Sequence, residues 1–146
     1  VYNEEWLREN QLIDDERPTV GRLVAGKGNE SPAVIHVAPE ASVRQALNLM
    51  TTYNVSQLPV IEGDDGVGAV SEQALMARAI GQPKILDSPV REVMDPPFPV
   101  VDSHSPLAQL TTLLSRTTPA ALVRRDGKVV GIVTRYDLLH QLAGIR

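Results

Sequence analysis

Apolar positions along the chain recur in two rhythms. Val43, Ala46, Leu47 and Met50 fall at i, i+3, i+4 and i+7, which predicts one helical stripe entered at Ser42, a good N-cap. Leu58–Ile61 and Val67–Val70 are short apolar runs flanking Glu62-Gly63-Asp64-Asp65-Gly66. Those turn-forming residues between two buried runs predict a β-hairpin. Val34-Ile35-His36-Val37, rich in β-branched residues, predicts a short strand before the helix. Ser71 is expected to cap a second helix bearing Ala74, Leu75 and Ala79, ended by Gly81 and Pro83.

The same order then repeats. Phe98-Pro99-Val100-Val101 is a short strand, and Ser105 caps a helix with Pro106 at its first position and Leu107, Leu110 and Leu114 as its stripe. Ala121-Leu122-Val123 and Lys128 to Val133 form a hairpin around Arg124-Arg125-Asp126-Gly127. Thr134 starts a last helix with Leu138, Leu139 and Leu142 on one side. Val37 and Val101 are 64 residues apart, and Gly68 and Gly131 are 63 apart, so the chain is an internal duplication. Even the lead-ins repeat: Thr19 to Val24 stands before the first copy as Val90 to Met94 stands before the second. Each copy reads β-α-β-β-α, an α/β (α+β) arrangement. Neither copy is expected to bury its sheet alone, and two packed sheet to sheet would form one pseudo-two-fold unit. Residues 2–13, with Trp6 and Leu7, predict a separate amphipathic helix. The expected divisions are 1–18 for this N-terminal linker helix, 19–85 for the first repeat and 86–146 for the second.

Composition narrows the chemistry. Aromatics are 3% of the 146 residues, so the core must be aliphatic. With no cysteine, disulfides, thiolate catalysis and Cys-based zinc sites are excluded, and a reducing cytoplasm is the expected location. No apolar run approaches the ~18 residues of a membrane span. Val1 in place of an initiator Met points to a piece of a longer chain. The net charge of −4 argues against a general nucleic-acid binder, which needs a basic footprint. The charge is uneven: residues 1–102 carry 8 Lys/Arg and 16 Asp/Glu, and residues 103–146 carry 6 and 2. A basic C-terminal part can hold an anion, although surface mixing explains the bias equally well.

The strongest local signal is Gly131-Ile132-Val133-Thr134-Arg135-Tyr136-Asp137-Leu138. First-turn N–H groups lack intrahelical partners and favour an anion. Thr134 adds a hydroxyl, and Asp137, one turn on, suits a ribose diol, as acids do in dinucleotide folds. Arg135 is the candidate for an anionic tail. Plain helix capping by Thr134 and Asp137, worth ~1–2 kcal/mol, needs no ligand.

Residues 19–143 resemble a tandem cystathionine-β-synthase-type (CBS) repeat, or Bateman, module. The resemblance rests on the duplicated pattern, on Gln57-Leu58-Pro59-Val60-Ile61, on Gly66 to Ser71 and on Gly131 to Leu138. It implies two repeats packed with pseudo-two-fold symmetry, no catalytic residues in this chain, and an adenosyl effector, S-adenosylmethionine or AMP, ADP or ATP, in place of a cofactor. Thr134 and Asp137 match the polar pair that binds ribose and phosphate. Ile132 and Tyr136 would flank the nucleoside, and Ala33, Val34 and Val55 to Gln57 would line the adenine pocket. The other cleft departs from the pattern: Ser71 can replace Thr, but Ala74 stands where the ribose acid should be, and Glu72 adds negative charge at the phosphate position. One good site per chain is expected.

Tyr2 to Ile13, above all Asn3-Glu4-Glu5-Trp6 and Arg8-Glu9-Asn10, resemble the segment joining the pyridoxal-phosphate catalytic domain of bacterial cystathionine β-synthase to its C-terminal repeats. That implies an upstream catalytic domain as partner, with homodimerisation through the repeats and neither nucleic acid nor membrane as partner. A second class of function stays open: a ligand-free dimerisation scaffold. Asp102-Ser103-His104-Ser105 has triad residue types, but sequence neighbours rarely converge on one reacting atom. His36, His104 and His140 lack ligand spacing. A solvated turn is the default for Arg124-Arg125, with a phosphate or interdomain role as the alternative.

Overall fold

The computed structural model describes residues 19–25 and 34–143; the helix expected over 2–13 lies outside them. The elements in order are α1 (Val20–Ala25), α2 (Val43–Tyr53), β1 (Gln57–Glu62), β2 (Asp65–Ser71), α3 (Glu72–Gly81), β3 (Val100–Asp102), α4 (Leu110–Leu113), β4 (Ala120–Arg125), β5 (Lys128–Thr134) and α5 (Arg135–Leu142). Short 3₁₀ turns cover Pro83–Asp87, Val90–Glu92 and Leu107–Gln109.

Each repeat builds a small sheet on the same plan, two-stranded in the first and three-stranded in the second. β4 is central in the second, parallel to β3 and antiparallel to β5. In the first, β1 pairs antiparallel with β2, and the strand expected over 34–37 is reduced to a single parallel bridge, Val37 to Val60. Val37 N–H donates to Pro59 O at 3.2 Å, and Ile61 N–H donates to Val37 O at 3.0 Å. The second hairpin turns through Asp126 and Gly127, both at positive φ, as a tight two-residue turn matching strand twist requires. Arg124 and Arg125 therefore lie in β4 rather than in the turn.

Ser42 caps α2 in a reciprocal capping box with Gln45. Val43, Ala46 and Met50 are buried on its inner face, as their spacing predicts. The matching helix of the second repeat is shorter. It opens as a 3₁₀ turn with Pro106, in extended conformation, at its N-cap, and no side chain caps it. Ser105, one residue earlier, is not the cap; its carbonyl accepts from Val20 N–H of the first lead-in at 3.0 Å. The apolar stripe survives, with Leu107, Leu110 and Leu114 buried. In α5 only Leu138 turns inward; Leu139 and Leu142 are 55% and 65% exposed, against the expected common side.

Two aliphatic cores result. One joins Val37, Val43, Ala46, Met50, Leu58, Val60, Val70 and Leu75 to Val90 and Val93. The other joins Val101, Leu107, Leu110, Leu114, Ala121, Val123, Val133 and Leu138 to Val20. Each lead-in thus packs on the repeat that does not follow it. The hydrogen bonds mirror one another. Val20 N–H to Ser105 O and Gly21 N–H to Ser103 O, 3.0 and 2.8 Å, correspond to Val90 N–H to Ala41 O and Arg91 N–H to Pro39 O, 2.8 and 3.0 Å. Between the sheets, the fully buried Leu122 of β4 meets Gly66 of β2, where an added Cβ would lie 2.6 Å from Leu122 Cδ1.

Candidate functional site at the end of β5

β5 runs straight into α5 at Thr134, whose extended backbone (φ −113°, ψ 167°) makes it an N-cap. Its hydroxyl accepts from Asp137 N–H at 3.1 Å, and Asp137 Oδ2 accepts from Thr134 N–H at 2.9 Å. The two side chains, both half-buried, fix each other's rotamers. Arg135 N–H donates to Pro119 O at 2.9 Å, which ties the first turn of α5 to the chain entering β4. Ile132 is half-buried in β5 opposite Leu122. Tyr136 is 65% exposed and lies against His140, ring centroids 4.3 Å apart.

The first repeat builds the same junction without the acid. Ser71 caps α3 and accepts from Ala74 N–H at 3.2 Å. Glu72 N–H donates to Ser56 O at 2.9 Å, the mirror of the Arg135 bond. Exposed Ala74 offers no return acceptor, so the box is half made. Gln57 pairs with Ser71 across the sheet, while Ala120 pairs with Thr134. Of the residues expected to line an adenine pocket, Val34 is half-buried, Val55 is half-buried against the first core, Gln57 is half-buried at the Ser71 end of β1, and Ala33 lies outside the described residues.

Arg124 takes the less favoured of the roles its position offered, one between the repeats. It was expected in a solvated turn, but from β4 it reaches the hairpin turn of the other repeat, Nη2 lying 3.1 Å from Asp64 O and 3.4 Å from an Asp65 carboxylate oxygen. Only its position next to Asp126-Gly127 hinted at an edge location; the partner is decided by tertiary packing. Arg91 likewise bridges Glu40 and Glu62 of the first repeat, and its guanidinium holds the Glu40 carboxyl below the usual carboxylate range. Asp102 accepts from His104 N–H at 2.8 Å and lies 3.1 Å from its Nδ1. Ser103 is buried, with Oγ 3.3 Å from Arg125 Nε, so these neighbours do not assemble a triad.

An open groove of about 440 Å³ runs along the outer side of α2, lined by His36, Ala41, Gln45, Asn48, Leu49 and Thr52 among others. It contains none of the residues expected to hold a ligand. Among the described residues, no cluster of three or more His, Asp or Glu could hold a metal, and no helix is long and apolar enough to cross a membrane.

The fold is shared with solved structures. A crystal structure of a CBS domain superposes with a TM-score of 0.73 at 25% identity, covering 86% of this chain and 98% of that one. The CBS domain pair of protein MJ0100, solved in complex with 5′-methylthioadenosine and S-adenosyl-L-methionine, superposes with a TM-score of 0.68 at 21% identity, covering 88% of this chain and 98% of that one. In sequence, the chain is 31% identical over 133 residues to the inosine-5′-monophosphate dehydrogenase of Thermoplasma acidophilum, covering 91% of this chain and 27% of the relative. The chain spans between 21% and 37% of the length of three curated relatives that it matches. The CBS domain profile matches residues 30–81 and 90–144. With two matched copies, two mirrored sheets and crossed lead-ins, the chain belongs to the CBS-domain family as a tandem pair.

Proposed function

We propose that this pair is a regulatory, non-catalytic module that binds one adenosyl ligand per chain at the β5–α5 junction. The carrying observation is the asymmetry between the two junctions: Thr134 and Asp137 form a closed, half-buried capping box, while Ser71 faces Ala74. A carboxylate accepts up to about four hydrogen bonds, so Asp137 can cap α5 and receive a ribose diol together. Arg135, half-buried beside Thr134, is the cation for a phosphate or carboxylate tail. Ile132 and Tyr136 flank the nucleoside, with Val34, Val55 and Gln57 of the first repeat on its adenine side. S-Adenosylmethionine is the first candidate and AMP, ADP or ATP the second; the bound adenosyl compounds of the MJ0100 pair support that class. The module controls an attached catalytic domain; the likeness of residues 2–13 supports a pyridoxal-phosphate cystathionine β-synthase in the cytoplasm.

Isothermal titration of S-adenosylmethionine, AMP and ATP into the chain and its Asp137→Ala variant tests this. Saturable binding near one ligand per chain, lost in the variant, is the expected result. No heat from any of the three in a folded sample rejects it. Ala74→Asp is expected to be required before a second site appears.

A second reading, a ligand-free dimerisation scaffold, is favoured by one observation. The pseudo-equivalent helices α3 and α5 both turn apolar side chains outward: Met76 and Ile80, 46% and 84% exposed, and Tyr136, Leu139 and Leu142. Patches repeated on a pseudo-two-fold suit an isologous homodimer. Ile80→Glu with Leu142→Glu is expected to shift the sedimentation coefficient to that of a monomer.

A further inference from the structure

The first lead-in crosses the molecule. α1 precedes the first repeat in sequence yet packs on β3, β4, β5 and α5 of the second. Two backbone hydrogen bonds hold its start, Val20 N–H to Ser105 O and Gly21 N–H to Ser103 O. Its last turn is held by shape. Val24 lies over Gly131 of β5, where an added Cβ would fall 2.5 Å from Val24 Cγ1 and 3.1 Å from Cγ2. Gly131 is therefore present for space: any side chain there would lift the helix. Gly68 of β2 is covered in the same way by Met94 of the second lead-in, but that lead-in stays next in sequence to the repeat it covers. Only α1 is docked on a distant part of the chain.

The seat of α1 is contiguous with the candidate site. Gly131 is three residues before Thr134 on the same strand, and α1 also touches α5, the helix that Thr134 and Asp137 cap. We propose that α1 is a strap whose seating on Gly131 is coupled to the order of the Thr134–Asp137 capping box. Whatever acts on the chain before residue 19 then acts on the β5–α5 junction, and whatever binds that junction holds the strap down. The two effects are equal in free energy, because coupling between sites is reciprocal. The physical carrier is an element with two arrangements, strap seated and strap lifted, that both sites bias. The ligand half of this coupling rests on the adenosyl reading above; the mechanical half does not.

Hydrogen–deuterium exchange on the whole chain decides it, read at Val20 and Gly21 for the strap, at Asp137 N–H for the box, and at Ala69 N–H, bonded to Asp95 O at 3.0 Å, as a reference in the first repeat. A methyl group forced into a packed contact shifts such an equilibrium about tenfold or more. Gly131→Ala is expected to speed exchange by that factor at Val20, Gly21 and Asp137, leaving Ala69 unchanged. Val24→Ala, which introduces no clash, is expected to loosen the same amides less. The double variant, in which one methyl fills the space another vacated, is expected to return them toward wild type. If Gly131→Ala does not fold, Val24→Ala and the double variant carry the test. Strap amides that loosen while Asp137 stays protected overturn the coupling, and a double variant no better protected than its parents overturns the seat. Saturating S-adenosylmethionine, AMP or ATP, whichever gives heat, is expected to slow exchange at Val20 and Gly21; binding without that slowing overturns the link to the cleft. Absence of any binding would reject the ligand reading alone, and the unliganded variants would still decide the strap.

Discussion

Arg124 of the second repeat donates from Nη2 to the backbone carbonyl of Asp64 in the hairpin turn of the first, 3.1 Å away. Its Nε is buried with no hydrogen-bond partner among the described residues. The adjacent Asp65 carboxylate, at 3.4 Å and 77% exposed, contributes little because water screens it. The carbonyl bond and the packed aliphatic stem join the two repeats. Arg124→Ala is expected to lower unfolding free energy by about 1–3 kcal/mol, the range for a lost hydrogen bond to a charged group. Arg124→Met, which keeps the stem and removes the unpaired N–H, is expected to lose less. Urea titrations of the two variants check the order.

The half-made box at Ser71 gives a paired prediction. Asp137→Ala removes the acceptor of Thr134 N–H and is expected to cost about 1 kcal/mol, as lost caps do. Ala74→Asp places an acid in the first turn of α3 and is expected to stabilise by about 0.3–1 kcal/mol. Opposite shifts in thermal midpoint support a capping role at both junctions, whether or not a ligand binds. Equal shifts of one sign contradict it.

Leu122 of one sheet lies against Gly66 of the other, leaving no room for a side chain there. Leu122→Ala is expected to cost about 2–5 kcal/mol by leaving a cavity in a dry seam. Gly66→Ala drives a methyl group into Leu122 and is expected to cost about 1–3 kcal/mol. Combined, they are expected to cost less than the sum, since the shortened side chain vacates the space the new methyl needs. Denaturant midpoints of the three variants measure that coupling.

Acid stability follows from two depressed carboxyls. Arg91, by hydrogen bond first, holds Glu40 below its ordinary 4.5. The His104 backbone N–H, then its ring, holds Asp102 below its ordinary 3.8. A carboxyl depressed in the folded state stabilises it fully above the unfolded value, and that contribution is lost as pH falls through the folded value. Both groups are exposed, so the effect is small and weakens with salt. Glu40→Gln is expected to flatten the fall in stability below about pH 4.5, and a pH series of urea midpoints at low salt reads it. A variant as acid-sensitive as wild type would contradict the assignment.

Much of this protein was legible in the sequence because its signals are local. The buried Val43, Ala46 and Met50 follow from helical spacing, the hairpins from Gly63 and Asp126-Gly127, and the capped junctions from Ser71 and Thr134. The duplication exposed the asymmetry of Asp137 against Ala74 without any coordinates. Errors arose where a local preference met a neighbour from elsewhere in the chain. Ser105 was expected to cap a helix, but the helix opens one residue later as a 3₁₀ turn with Pro106 at its N-cap. Leu139 and Leu142 were expected to turn inward with Leu138, and of the three only Leu138 is buried. Residues 34–37 were expected to pair as a strand, and only Val37 does.

The order of elements, the two-fold repeat and the chemical character of each helix start are properties of residues a few positions apart, so the sequence alone determined them. Which repeat each lead-in covers, why Gly131 and Gly68 must lack side chains, and where Arg124 finds its acceptor depend on surfaces brought together from positions 26 to 107 residues apart. Only tertiary packing decided those, because close contact and burial are set by the shape of both partners, and neither partner's sequence contains the other's shape.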